Sequence, residues 1–95
     1  MRKLSKAIGM IETRGIATSI EAADAMLKTA DVRLVNQNKM DPALITTFIE
    51  GDVSAVQAAV DAGREVAERV GSLIAYNVIP HADTEISELL VKKIK

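Results

Sequence analysis

The stretch Gly9-Met10-Ile11-Glu12-Thr13-Arg14-Gly15-Ile16, continued by Ile20-Glu21-Ala22-Ala23-Asp24-Ala25-Met26-Leu27-Lys28, decides how the chain is organised. It reads as a short strand, a tight turn at Gly15 and an alanine-rich helix with one charged stripe. Ile16, Ile20, Ala23, Leu27 and Ala30 follow the spacing that places apolar side chains on one helical face. Glu21, Asp24 and Lys28 fall on another face, and Asp24 with Lys28 is an i, i+4 pair with the acid on the N-terminal side. The pattern predicts an amphipathic helix packed on a sheet.

Working outward, Ala7 to Glu12 is expected as the first strand, with Ala7, Gly9 and Ile11 on one face and Ile8 and Met10 on the other. Thr13-Arg14-Gly15 is the turn, the helix runs from about Ile16 to Ala30, and Asp31 ends it. Val32 to Asn38 and Leu44 to Glu50 are two further strands. The short polar gap between them, ending in Asp41-Pro42, predicts an antiparallel hairpin. Gly51-Asp52 opens a second helix, with Asp52 suited to N-capping. Its buried stripe is expected at Val53, Val56, Val60, Gly63, Ala67 and Val70. Its wet face holds Asp61, Arg64, Glu65, Glu68 and Arg69, with Glu65 and Arg69 as a second i, i+4 pair. Gly71 is the expected stop. Leu73 to Ile79 is the fourth strand, ended by Pro80, and a short helix follows at about Thr84 to Val91. The order strand, helix, strand, strand, helix, strand is the α+β, ferredoxin-like βαββαβ arrangement with a short C-terminal helix. One domain is expected, its core spanning about residues 6–91.

Composition narrows the chemistry. A chain of 95 residues buries roughly 60–65% of its unfolded surface, so association with other copies would add useful burial. Its hydrophobic share is 48%, yet Phe48 and Tyr76 are the only aromatic residues, which argues against base stacking and against an RNA-recognition domain of the same strand order. The net charge of −1 comes with no basic block, so a phosphate-backbone footprint is not expected. Cysteine is absent, which removes disulfides and thiolate ligands. The basic start, Met1 to Lys6, has no apolar core of a signal peptide, and no run is long enough to span a membrane. A soluble, cytoplasmic protein is the expectation.

No catalytic constellation stands out. His81 is the only histidine, without a second histidine or a cysteine to complete a metal or nucleophile site. Glu12, Asp24, Asp31, Glu50 and Asp52 have ready roles as caps, pairs or strand ends. Gly9, Gly15 and Gly51 fit neither phosphate-loop spacing and read as turn and close-approach glycines. No enzyme, metal or cofactor is expected.

Gly-Met-Ile-Glu-Thr followed by Ile-Glu-Ala-Ala-Asp-Ala-Met resembles the N-terminal signature of the bacterial microcompartment shell proteins of the single-domain, hexamer-forming kind. Gly51-Asp52-Val53, Ala55-Val56, Ala62-Gly63, Ala67 to Gly71 and Val78-Ile79-Pro80 extend the resemblance, in the same order, over roughly Ala7 to Leu90. The resemblance implies a cyclic homohexamer shaped as a flat tile, packed edge to edge with other shell proteins in a carboxysome or metabolosome. It also implies a six-fold pore for small polar metabolites, and a shell that encloses enzymes.

By the same resemblance the pore turn is Lys39, Met40, Asp41, Pro42 and Ala43, and the tile edge holds Lys28, Asp31 and His81. Three features depart from the family pattern. The pore turn usually reads Lys-Ile-Gly-Ser-Gly, whereas Pro42 lacks an N–H and Ala43 resists left-handed angles. Asp41, repeated six times, would ring the opening with carboxylates and favour cations or neutral polyols, unless it only caps the Pro42 turn. His81 stands where an arginine is usual, and Asp31 where an asparagine is common, so sheet packing is expected to be less secure than the hexamer. An alternative from another class is a ferredoxin-like regulatory domain that binds a small molecule at a dimer interface.

Overall fold

The strand that begins at Ala7 does not turn at Thr13. In the computed structural model, which describes residues 6–39 and 43–82, β1 continues to Arg14 (Ala7–Arg14). It is followed by α1 (Ile16–Thr29), β2 (Arg33–Lys39), β3 (Leu44–Gly51), α2 (Val53–Arg69) and β4 (Leu73–Ile79). The extra strand length has a plain cause. Thr13 and Arg14 lie opposite Ile45 and Leu44 of β3, while a register shift between Glu12 and Thr13 adjusts the pairing with β4. The turn is left to Gly15 alone, whose φ of 96° is open to glycine and strained for other residues. The expected helix at Thr84–Val91 and the residues Met40, Asp41 and Pro42 lie outside the described residues.

The four strands form one antiparallel sheet in the order β2-β3-β1-β4. This is the split βαβ arrangement of the ferredoxin-like class, with β3 inserted between β1 and β2. Alternation places Ala7, Gly9, Ile11 and Thr13 of β1, with Ile45, Thr47 and Ile49 of β3, toward the helices. Ala7, Ile11, Ala22, Met26, Ile49, Val56, Ala59 and Val60 make the core between that face and the two helices. The hairpin of β2 and β3 forms as expected, one residue later in β2 and with a bulge between Leu34 and Asn36.

Two glycines let the layers approach. A Cβ on Gly9 would lie 2.7 Å from Val60 Cγ2, 2.8 Å from Val56 Cγ1 and 3.0 Å from Ile49 Cγ1. A Cβ on Gly63 of α2 would lie 2.7 Å from both Ile11 Cδ1 and Met26 Cγ.

The helix stripes need correction. In α1 the buried residues are Ser19, Ala22, Ala23 and Met26. Ile16, Ile20 and Leu27, expected inside, are 48%, 57% and 43% exposed. The helix is turned so that its small side chains and Met26 face inward, which is the face able to meet α2 closely at Gly63. In α2 the middle of the stripe is buried as expected, at Val56, Val60, Gly63 and Ala67, but the end residues Val53 and Val70 are exposed.

Helix ends and surface pairs also differ in part. Asp52 occupies the N-cap position without a side-chain capping bond. Gly71, at φ 73°, closes α2 as the C′ residue: its N–H donates to the Glu68 carbonyl (3.0 Å) and the Ser72 N–H to the Ala67 carbonyl (2.9 Å). Gly71→Ala is expected to lower stability by about 1–2 kcal/mol, because the left-handed conformation costs a Cβ-bearing residue about that much. The midpoint of urea unfolding at fixed protein concentration checks it, and an unchanged midpoint would contradict the cap assignment. Lys28 Nζ pairs with Asp24 at 3.0 Å. Glu65 and Arg69 form no ion pair; Arg64 takes the bridging role on α2 instead, with Glu68 at 3.2 Å and Asp61 at 3.6 Å.

Candidate pore turn, tile edge and subunit flanks

Every strand and helix runs between two ends of the domain. The β1 strand spans about 25 Å at strand rise, from Ala7 at one end to Arg14 at the other. The Arg14 end collects Gly15, the start of α1, Lys39, Ala43, Leu44 and the Arg69–Ser72 stretch. Backbone bonds tie it together: Gly15 N–H donates to the Ala43 carbonyl (2.5 Å) and Arg14 N–H to the Ser72 carbonyl (2.9 Å). The Ala7 end collects the end of α1, Asp31, Arg33, Gly51, Asp52 and the turn after β4, where Ala82 N–H donates to the Lys6 carbonyl (3.0 Å).

The residues singled out in the sequence fall into two separated groups. Lys39, the exposed last residue of β2, and the half-buried Ala43 stand at the Arg14 end. Lys28, Asp31 and His81 stand at the opposite end, all exposed. They share an end without touching: Lys28 is held by Asp24, and neither Asp31 nor His81 makes a side-chain bond among the described residues. The Asp31 backbone is close to Gly51, where a Cβ would lie 3.2 Å from the Asp31 carbonyl oxygen.

Two further groups escaped the sequence reading because their partners are distant in the chain. Arg33 and Glu50 are directly opposite on β2 and β3. Arg33 Nε donates to Glu50 Oε1 at 3.0 Å, with a second, short contact from Nη2 to the same oxygen. The Glu50 side chain is only 9% exposed, and its pairing with Arg33 meets the requirement that a buried charge be compensated. On the other side of the domain, the Arg64 guanidinium lies 5.0 Å from the centre of the Tyr76 ring. Its pKa is raised, by Tyr76 first and then by Glu68 and Asp61, against the opposing effect of desolvation.

The side surfaces carry the exposed apolar residues. Helix α1 packs over β3 and β1 and reaches β2, whereas α2 packs mainly over β1 and β4. One flank therefore presents Ile16, Ile20 and Leu27 of α1 with Leu34 of edge strand β2. The opposite flank presents Ile74, Tyr76 and Ile79 of edge strand β4. No group of three or more metal-ligating side chains occurs among the described residues. No described helix is long and apolar enough to cross a membrane.

Known proteins match this arrangement over nearly its whole length. The family model described as the BMC domain matches residues 7–82. The microcompartment shell protein PduA of Citrobacter freundii is 47% identical over 89 residues, covering 94% of this chain and 96% of that one. The shell protein EutM of Escherichia coli K12 is 45% identical over 84 residues, covering 88% and 87%. The major carboxysome shell protein CsoS1A of Halothiobacillus neapolitanus is 46% identical over 87 residues, covering 90% and 89%. Among solved structures, a microcompartment protein of Desulfitobacterium hafniense superposes with a TM-score of 0.85 at 35% identity, over 93% of this chain. The chain spans about half of that longer protein, 48% of its length. These relatives are shell proteins rather than enzymes, and a carboxysome shell protein is among them. With the fold, the element order and the opening motif in agreement, the chain belongs to the BMC-domain family and is a bacterial microcompartment shell protein.

Proposed function

We propose that the chain is a single shell domain forming a cyclic homohexamer. This flat tile packs edge to edge with other shell proteins and has a six-fold pore at the turn formed by Lys39, Met40, Asp41, Pro42 and Ala43. The observation that carries the ring is the pair of different apolar flanks on opposite sides of one protomer. Apolar groups of this kind on a soluble protomer mark contact surfaces, and the two flanks end in edge strands, which are open to pairing. Two unlike patches on opposite sides join head to tail, and such a contact closes into a ring when the rotation between copies allows it. The number six comes from the family resemblance.

The same arrangement supports the division of labour between the two ends. A ring built through the flanks leaves both ends of each protomer free. The Arg14 end then faces the axis, where small polar metabolites would pass. The end with Lys28, Asp31 and His81 faces outward, toward the next tile. Enzymes enclosed by the shell are the further partners this role implies.

Light scattering after size separation tests the ring, and negative-stain imaging tests the sheet. The expected particle has six times the mass of the 10.2 kDa chain and assembles into sheets or tubes. A monomer or dimer at all concentrations would overturn the proposal.

A further inference from the structure

Tyr76 is the only tyrosine of a chain without tryptophan, and it stands in the open. It lies on edge strand β4, directly opposite the fully buried Ile11 of β1. Strand pairing fixes its backbone, while the residue remains 47% exposed. Arg64 of α2 leans over the ring, its guanidinium carbon 5.0 Å from the ring centre. Tyrosine and arginine are among the residue types that dominate binding at protein interfaces. Here the two are stacked on one rigid base.

The charge of Arg64 is answered within its own protomer. Nη1 donates to Glu68 at 3.2 Å, and Nε, cut off from water, lies 3.6 Å from Asp61 Oδ1. Glu65 is also exposed, without an ion pair among the described residues. It lies about 100° further round the helix, away from the buried stripe, and the exposed Arg69 lies further round still. Strand β4 carries no charged residue. The α1 flank is built in the same way. Exposed Ile16, Ile20 and Leu27 stand beside an Asp24–Lys28 pair closed at 3.0 Å, and Glu21 is the remaining charge of that helix. Arg33 of β2 is closed by Glu50.

We infer that the Arg64–Tyr76 stack is the anchor of the contact between copies, and that it seats on Ile16, Ile20 and Leu27 of the next copy rather than on an acid. This rests on the ring proposed above. A guanidinium whose carboxylate partners are already in place loses water at small cost, and its attraction to the aromatic face strengthens as water leaves. The charges left over beside the two apolar surfaces, Glu21 on one and Glu65 on the other, are both negative. Neither offers the other an ionic partner, so the seat is apolar.

Tyrosine emission tests the assignment, because Tyr76 is its only source in this chain. Quenching by acrylamide is compared between the six-subunit particle and the dissociated protomer, reached by dilution or by Ile20→Glu. The quenching constant is expected to be several-fold lower in the ring. Tyr76→Ala and Arg64→Ala should each weaken the contact on the order of thirtyfold, read as a rise in the concentration at which the six-subunit mass is lost. Tyr76→Phe should keep the ring. Sodium chloride at about 1 M, where the screening length is about 3 Å, should leave the mass unchanged. A six-subunit particle whose Tyr76 is quenched as readily as in the protomer would overturn the anchor and leave the ring standing. Loss of the ring in high salt would overturn the apolar seat in favour of an ion pair between copies. A wild-type protein that forms no ring would overturn both proposals.

Discussion

Gly9→Ala is expected to be the most destabilising single-methyl change available in this protein. The added carbon would sit 2.7–3.0 Å from side-chain atoms of Val60, Val56 and Ile49. All three are β-branched and stiff at χ1, and all three belong to the packed core. The strand beneath them is paired on both sides, to β3 and to β4, so it cannot retreat. Overpacking of this kind costs about 1–3 kcal/mol. For a domain of this size each kcal/mol moves the thermal midpoint by about 4–8 °C, so a fall on the order of 10 °C is expected. Calorimetry at fixed protein concentration checks it, because association would make the midpoint concentration-dependent.

Gly63→Ala is the control that gives this prediction its edge. Its new carbon would meet equally short distances, but to Ile11 Cδ1 and to Met26 Cγ and Sδ. These are the ends of side chains that can turn away, and methionine adapts readily. The helix also gains about 1 kcal/mol when alanine replaces an interior glycine. Gly63→Ala should therefore stay within about 1 kcal/mol of the wild type by these offsetting terms. Equal or reversed losses for the two variants would show that the strand, not the helix, is the layer able to yield.

The second large effect is on assembly. Ile20→Glu should leave the protomer folded and abolish the ring. Ile20 is 57% exposed, and exposed substitutions away from special features change fold stability by only about 0.5 kcal/mol. In the proposed ring the same position faces the neighbour, where an unpaired carboxylate would be stripped of water. An uncompensated buried charge costs about 3–5 kcal/mol, which corresponds to a weakening of each contact by more than about a hundredfold. The mass at micromolar concentration is then expected to fall from six subunits to one, with an unchanged far-ultraviolet circular dichroism spectrum. A ring that survives Ile20→Glu would move the subunit contact away from the α1 flank. A variant that loses both ring and fold would mean that α1 depends on its neighbour to stay in place.

Local rules carried much of the fold. Hydrophobic alternation in Ala7–Glu12, the polar gap before Leu44 and the glycines at 15 and 71 located four strands and two helices to within one or two residues. The wording of Gly9–Thr13 and Ile20–Met26 pointed to the shell family directly. Less legible were the features whose partners are far apart in the chain. Nothing near Arg33 announces Glu50, and nothing near Arg64 announces Tyr76, because both pairs exist only after β2 meets β3 and α2 lies over β4. Arg14 was placed in a turn, yet strand pairing with Leu44 carries it to the end of the sheet. The grouping of Lys28, Asp31 and His81 at one end and Lys39 with Ala43 at the other likewise depends on strand direction.

By itself, then, the sequence determined the element order, the ferredoxin-like class and the shell family, since these follow from periodicity, turn chemistry and a motif with fixed spacing. Tertiary structure alone decided which side of α1 is inside. Periodicity says that an apolar stripe exists, and Ile16, Ile20 and Leu27 are its largest members. The rotation of the helix is set by close packing across the layers, where Ser19, Ala22, Ala23 and Met26 fit beside α2 and Gly63. The small residues went in because the space between the helices is narrow, and the large ones were left on the flank.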